Sequence, residues 1–284
     1  MPNLTDLSAF QWTLAALAAL GLGMSKSGFG GMAMVGILLM AQIIPAREST
    51  GVILPMLILA DVFAVRAFHR HAVWRVLWRI LPAAVVGVIV GWMAMPLIPV
   101  QYFAPVIGWI VSVLIGLTIL QKFSPRLQEI AADHPSIAWP LGVLAGFTTM
   151  IANAAGSVMT IYLLGCRLPK YEFVGTAAWF FFLINVFKIP FSASLGLITP
   201  QTLVFNATLA PAVILGVFGG RILLGKINQT AFEWLLIAMA LAVFVGRVTG
   251  KLLSGPIVNL ALATKKVSSG DLDVVVDVKS RDEL

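Results

Sequence analysis

The chain has 284 residues, of which 60% are hydrophobic and only 11% charged, whereas an ordinary soluble domain carries about 25% charge. With a mean hydropathy of +0.97, it is expected to be an all-α, polytopic integral membrane protein, with the lipid bilayer as its surroundings. The net charge of +7 does not point to nucleic acid, because much of the excess sits in short connections beside apolar spans, where Lys and Arg set topology.

Residues 1–13 carry Asp6 and no basic residue. No small-residue cleavage site follows, so the first apolar run is expected to be a permanent span rather than a signal peptide. That run, residues 10–43, is interrupted by Gly21-Leu-Gly-Met-Ser-Lys-Ser-Gly-Phe-Gly-Gly31. Three ordinary spans follow, at 49–66, 76–96 and 102–121, each close to the length of about 17–25 residues that crosses a bilayer. After a linker at 122–138 the order recurs. A stretch at 139–165 is interrupted by Gly146-Phe-Thr-Thr-Met-Ile-Ala-Asn-Ala-Ala-Gly156, and spans at 173–190, 202–220 and 231–250 come after it. Backbone is interrupted at membrane depth only where protein or a water-filled cavity satisfies the freed amides and carbonyls, so two matched breaks point to a central substrate site.

The repeat extends beyond the breaks. Met34 matches Met159, Gly51 matches Gly175, and Ala-Asp61-Val-Phe matches Ile-Asn185-Val-Phe. Pro82, Gly87 and Gly91 match Pro211, Gly216 and Gly220. The expected domains are therefore a first transmembrane repeat at 1–121, a cytoplasmic linker at 122–138, a second repeat at 139–253 and a tail at 254–284. A broken stretch that starts and ends on one side gives each half an odd number of crossings, so the repeats are expected to be inverted. Charge agrees: residues 66–79 hold Arg66, His69, Arg70, His71, Arg75 and Arg79, while the matching residues 191–201 hold no charge. Conversely, residues 96–102 are uncharged and their match carries Arg221 and Lys226. The basic connection is expected to be cytoplasmic and both termini outside.

At the first break, glycine lets the backbone unwind and lets other atoms approach. A helix beginning near Gly28 would offer unpaired N–H groups and a positive dipole end to an anion. Ser25 and Ser27 could add hydroxyl donors and Lys26 a full charge. The plainer reading is tight helix packing with Lys26 snorkelling. In the second break Asn153 and Ser157 offer neutral hydrogen bonds. Lys188, in Asn185-Val-Phe-Lys-Ile-Pro190, is near a span end and could snorkel. Asp61 costs about 2.5–3.5 kcal/mol at the membrane centre without a partner or water. It is expected to face inward, paired with Lys26 or Lys188, the second option being that it carries a coupling proton. Cys166, the only cysteine, excludes an intramolecular disulfide and is expected to be a small packing residue. His69, His71 and His134 lack metal-ligand spacing, and no cofactor is expected.

The first break, its duplicate and the Asn185-Val-Phe-Lys188 segment resemble the sulfite exporter TauE/SafE family, also called TSUP, over about residues 8–250. The resemblance implies a non-enzymatic permease of the bacterial inner membrane for small sulfur-containing or organic anions such as sulfite or sulfonates. It also implies a substrate region of Ser25, Lys26, Ser27, Gly28, Gly30 and Gly31 in the first half and Asn153, Ser157, Asn185 and Lys188 in the second. Whether the chain acts as a homo-oligomer is left open. Residues 256–284 resemble the first helix and connector of a HAMP signalling module, with Pro256 behind the last span and Asp282-Glu-Leu284 at the end. HAMP modules are cytoplasmic, whereas the C-terminus is expected outside. Three explanations follow: a fused segment without its native role, placed first, a reversed orientation, or a last span that belongs with the tail. The tail raises an alternative to transport, a membrane anion sensor signalling through that segment.

Overall fold

The computed structural model describes residues 7–29, 31–103, 105–107, 109, 110, 113, 116, 135–228, 230 and 231. The chain divides into two compact units, Met1–Leu241 and Ala242–Leu284, and every described residue belongs to the first. Most of the expected span at 102–121, nearly all of the span at 231–250, and the HAMP-like tail lie outside the described residues, as does the linker up to residue 134.

Among the described residues the structure is helical without strands, and the helix ends follow from local chemistry. Helix α1 (Ala9–Ser25) starts at a capping box, in which Ser8 Oγ accepts from Gln11 N and Gln11 Oε1 accepts from Ser8 N. These two bonds satisfy amides that have no partner inside the helix. Helix α2 (Gly31–Met40) is about 15 Å long and cannot span the membrane by itself. It folds back along α1, with Gly36 against Ala18 and Leu22 and Gly21 against Met32. Helix α3 (Ala46–Phe68) starts behind Pro45 and carries Glu48 in its first turn, where a carboxylate complements the helix dipole. Helix α4 (Trp74–Ala94) follows a short 3-10 turn, His69–His71.

The second half repeats this order. Helix α5 (Pro135–Ala152) begins inside the segment expected as linker, and α6 (Ala155–Gly165) is again too short to cross. Helix α7 (Lys170–Ser194) starts behind Pro169 with Glu172 in its first turn, as α3 does with Pro45 and Glu48. Helix α8 (Pro200–Lys226) begins at a Thr199–Thr202 capping box with Pro200 in its first turn. Among the described residues four helices, Ala46–His71 (including the 3-10 turn), Trp74–Leu97, Lys170–Ser194 and Pro200–Lys226, are long and apolar enough to cross a membrane. The chain is an all-α polytopic membrane protein. Its exposed side chains agree, since α4 turns Trp78, Val90 and Met93 outward and α8 turns Val204, Leu215 and Ile222 outward. A large apolar exterior is stable when its solvent is lipid.

Packing is reciprocal between the halves. Helix α4 packs on α5, α8 packs on α1, and α3 meets α7 between them. At each crossed contact glycines let backbones touch. A Cβ on Gly87 would overlap the Val143 carbonyl and one on Gly146 the Ala84 carbonyl. The same holds for Gly216 with Leu20 and Gly23 with Val213. These contacts set the register of the repeat in α1 and α5. They equate Gly23, rather than Gly21, with Gly146, and Ser27 with Met150. Two additional residues in the second break restore the sequence alignment beyond it.

Candidate functional site

The site is built where the two broken helices meet the paired helices α3 and α7. Helix α1 ends at Ser25, Lys26 is its C-cap, and Gly28 turns the chain at φ +103° before α2. Helix α5 ends at Ala152, and Asn153 turns the chain at φ +51° before α6. Both turning residues are left-handed, a conformation open to glycine and, among side-chain residues, favoured for Asn. The two breaks therefore share a backbone device despite different sequences.

Three charged side chains are buried here. Asp61 is fully buried, Lys188 is 2% exposed and Lys26 is 8% exposed, so neither lysine snorkels. Lys26 Nζ lies 2.9 Å from Asp61 Oδ1 and 4.2 Å from the centre of the Phe181 ring. The other Asp61 oxygen accepts from Asn185 Nδ2 at 2.7 Å. Asp61 and Asn185 are equivalent positions in the two halves, so the α3–α7 contact joins a residue to its own repeat partner. Of the two pairings expected for Asp61, Lys26 is the one that forms.

Lys188 is stabilised differently. Its ammonium donates to the Thr149 carbonyl at 2.7 Å, to Thr149 Oγ1 at 3.2 Å and to Asn153 Oδ1 at 2.7 Å. Thr149 lies in the last turn of α5, where a cation meets the negative end of the helix dipole. Asn153 Nδ2 in turn donates to the Thr50 carbonyl of α3 at 2.9 Å. No carboxylate contacts Lys188 among the described residues. With the side chains in their ordinary ionisation states, two cations and one carboxylate leave the buried set at +1, and a buried charge without a counter-charge is costly. That imbalance favours an anion.

Beside Lys26 is a cavity of about 30 Å³, room for a water or two. Ser25, Lys26 and Gly28 line one wall, Gly156 and Thr160 from the start of α6 another, and Val174 and Phe181 of α7 a third. The Ala154 side chain makes no capping bond at α6, whose flank, along Gly156, Met159, Thr160 and Leu163, faces the cavity. The serine hydroxyls do not supply the donors expected of them. Ser25 Oγ donates to the Leu22 carbonyl at 2.7 Å and Ser27 Oγ to the Val217 carbonyl of α8 at 2.8 Å. Ser27 thus fastens the end of α1 to α8.

Among the other expected site residues, Gly31 is the first residue of α2, Ser157 lies in the first turn of α6 outside the cavity wall, and Gly30 lies outside the described residues. The structure adds Thr50, Thr149, Gly156, Thr160 and Phe181. A threonine pair at 148–149 inside an apolar stretch was the signal available for Thr149. The carbonyl of Thr50 left no trace in the sequence.

The profile of the family described as "Sulfite exporter TauE/SafE" matches residues 14–246, a range containing both breaks and all three buried charges. The chain belongs to the sulfite exporter TauE/SafE family. As a TauE/SafE protein it is a multi-pass membrane transporter of the sulfite exporter type. The HAMP domain profile matches residues 248–284, directly after the TauE/SafE region. Neither the curated proteins nor the solved structures give a match to this chain.

Proposed function

We propose that this TauE/SafE protein is a bacterial inner-membrane permease, and not an enzyme, that carries small sulfur-containing or organic anions such as sulfite or sulfonates by alternating access. The observation that carries the reading is the buried Lys26–Asp61–Lys188 set, whose formal charges sum to +1, placed at two helix breaks with Lys26 lining a small cavity. Lys26 would bind the anion in the cavity beside the flank of α6. Asp61 would keep Lys26 oriented while the site is empty, and coupling a proton through Asp61 is the finer option. The two halves, inverted with respect to each other, would expose the site to either side in turn.

Export is the favoured direction. A potential of roughly 150 mV, inside negative, contributes about 3.5 kcal/mol per expelled negative charge. Uptake of the same anion needs a coupled cation.

The test is counterflow in proteoliposomes with sulfite, thiosulfate, sulfoacetate, taurine and acetate. Saturable exchange of one of these anions, lost in Lys26→Ala, is expected. Flux that rises without saturation would replace the carrier with a channel. The HAMP match at 248–284 favours a second reading, an anion sensor, and binding without flux would select it.

A further inference from the structure

The two breaks correspond position by position at their turning residues, and the difference between them assigns Asn153 a task. Gly28 and Val174 line the same cavity. Their counterparts in the repeat, Asn153 and Thr50, are hydrogen-bonded to each other. The pairing of Thr50 with Val174 follows from that of their neighbours Gly51 and Gly175. Where Gly28 has no side chain, space remains. Where Asn153 has one, the carboxamide spans from Thr50 to Lys188, its amide donating to a carbonyl and its oxygen accepting from the ammonium at 2.7 Å.

An oxygen of a sulfonate, sulfite or carboxylate would make the same contact to Lys188. The other two acceptors on this lysine come from Thr149, in the last turn of α5. The Asn153 oxygen sits on a rotatable side chain at a turn and is the one that can leave. Exchanging it for an anion would also put a negative charge in direct contact with Lys188, a contact no carboxylate makes among the described residues.

We propose that Lys188 is a second anion station on the path through the protein, held closed by the Asn153 carboxamide, whose oxygen stands in for an oxygen of the anion until one displaces it. The inference rests on the anion-transport reading and deepens it. One station is the cavity at Lys26, the other is at Lys188, and Asn153 is the positioning residue between open and closed forms of the second.

The experiment measures equilibrium binding of sulfite and of sulfoacetate to the full chain in detergent, together with counterflow. Wild type is expected to bind one anion per chain. Asn153→Gly keeps a residue suited to the left-handed turn, as Gly28 is, and is expected to bind two. The second is lost and the first kept when Lys188→Gln is added. Asn153→Asp places a permanent carboxylate on Lys188 and is expected to lower flux at least tenfold while binding at Lys26 persists. One anion at unchanged affinity in Asn153→Gly, or wild-type flux in Asn153→Asp, would overturn the gate and leave transport standing. Wild type that neither binds nor exchanges either anion would overturn the transport reading, and the gate with it.

Discussion

Lys26 and Lys188 are buried within the same site, the first capping one broken helix and the second reaching from α7 to the end of the other, and they are stabilised by opposite means. Lys26 has a carboxylate, Asp61, and an aromatic face, Phe181. Lys188 has three neutral oxygens. The first arrangement is electrically closed, so removing either partner strands a charge. The second strands only neutral acceptors when the lysine is removed, but it leaves a positive charge in place when the lysine is present. A carrier for anions needs both properties: one pair that holds its geometry when empty and one cation that remains attractive.

The largest expected effect tests the closed pair. Lys26→Met leaves Asp61 buried without its cation and is expected to cost about 3–5 kcal/mol. The double variant with Asp61→Asn should recover most of that in thermal unfolding in detergent, because interacting sites are not additive. Lys188→Met, which strands Asn153 Oδ1 while the Thr149 carbonyl keeps its bond from Asn153 N, is expected to cost about 1–3 kcal/mol and to abolish saturable flux. If it destabilises as much as Lys26→Met, the distinction between the two lysines fails. Gly28→Ala forces a side chain into a left-handed turn for about 1–2 kcal/mol. Counterflow should fall further than stability, because the added methyl enters the anion cavity. At the small end, Gly219→Ala meets no neighbouring atom within 4 Å. It should change stability by less than about 1 kcal/mol, toward gain, with flux unchanged.

Much of the scaffold was legible in the sequence because membrane spans and their interruptions are written in composition. The breaks near Gly28 and Asn153 and the inward carboxylate Asp61 all followed from the cost of polar groups in lipid. The partners of Lys188 were not legible. They depend on a Thr149 carbonyl that accepts from Asn153 N and from the lysine together, and on a side-chain amide at a left-handed turn, and residue type announces neither pairing. The register of the repeat in α1 and α5 was not legible either. In apolar sequence Gly21 and Gly23 align equally well with Gly146, and only the contacts with Val213 and Ala84 decide between them. Ser25 and Ser27 show the same limit. Their hydroxyls could serve a ligand or the backbone, and helix geometry near Leu22 and Val217 selects the backbone.

The glycine contacts of α4 with α5, and of α8 with α1, bear on what moves. Each joins a helix from one half to a helix from the other with carbonyls seated where a methyl would not fit, so sliding one partner along its mate would force backbone atoms together. A motion that spares these seams carries α1 with α8 and α4 with α5. If transport proceeds by alternating access, each moving part would combine helices of both halves, and the boundary between the repeats would not be the hinge.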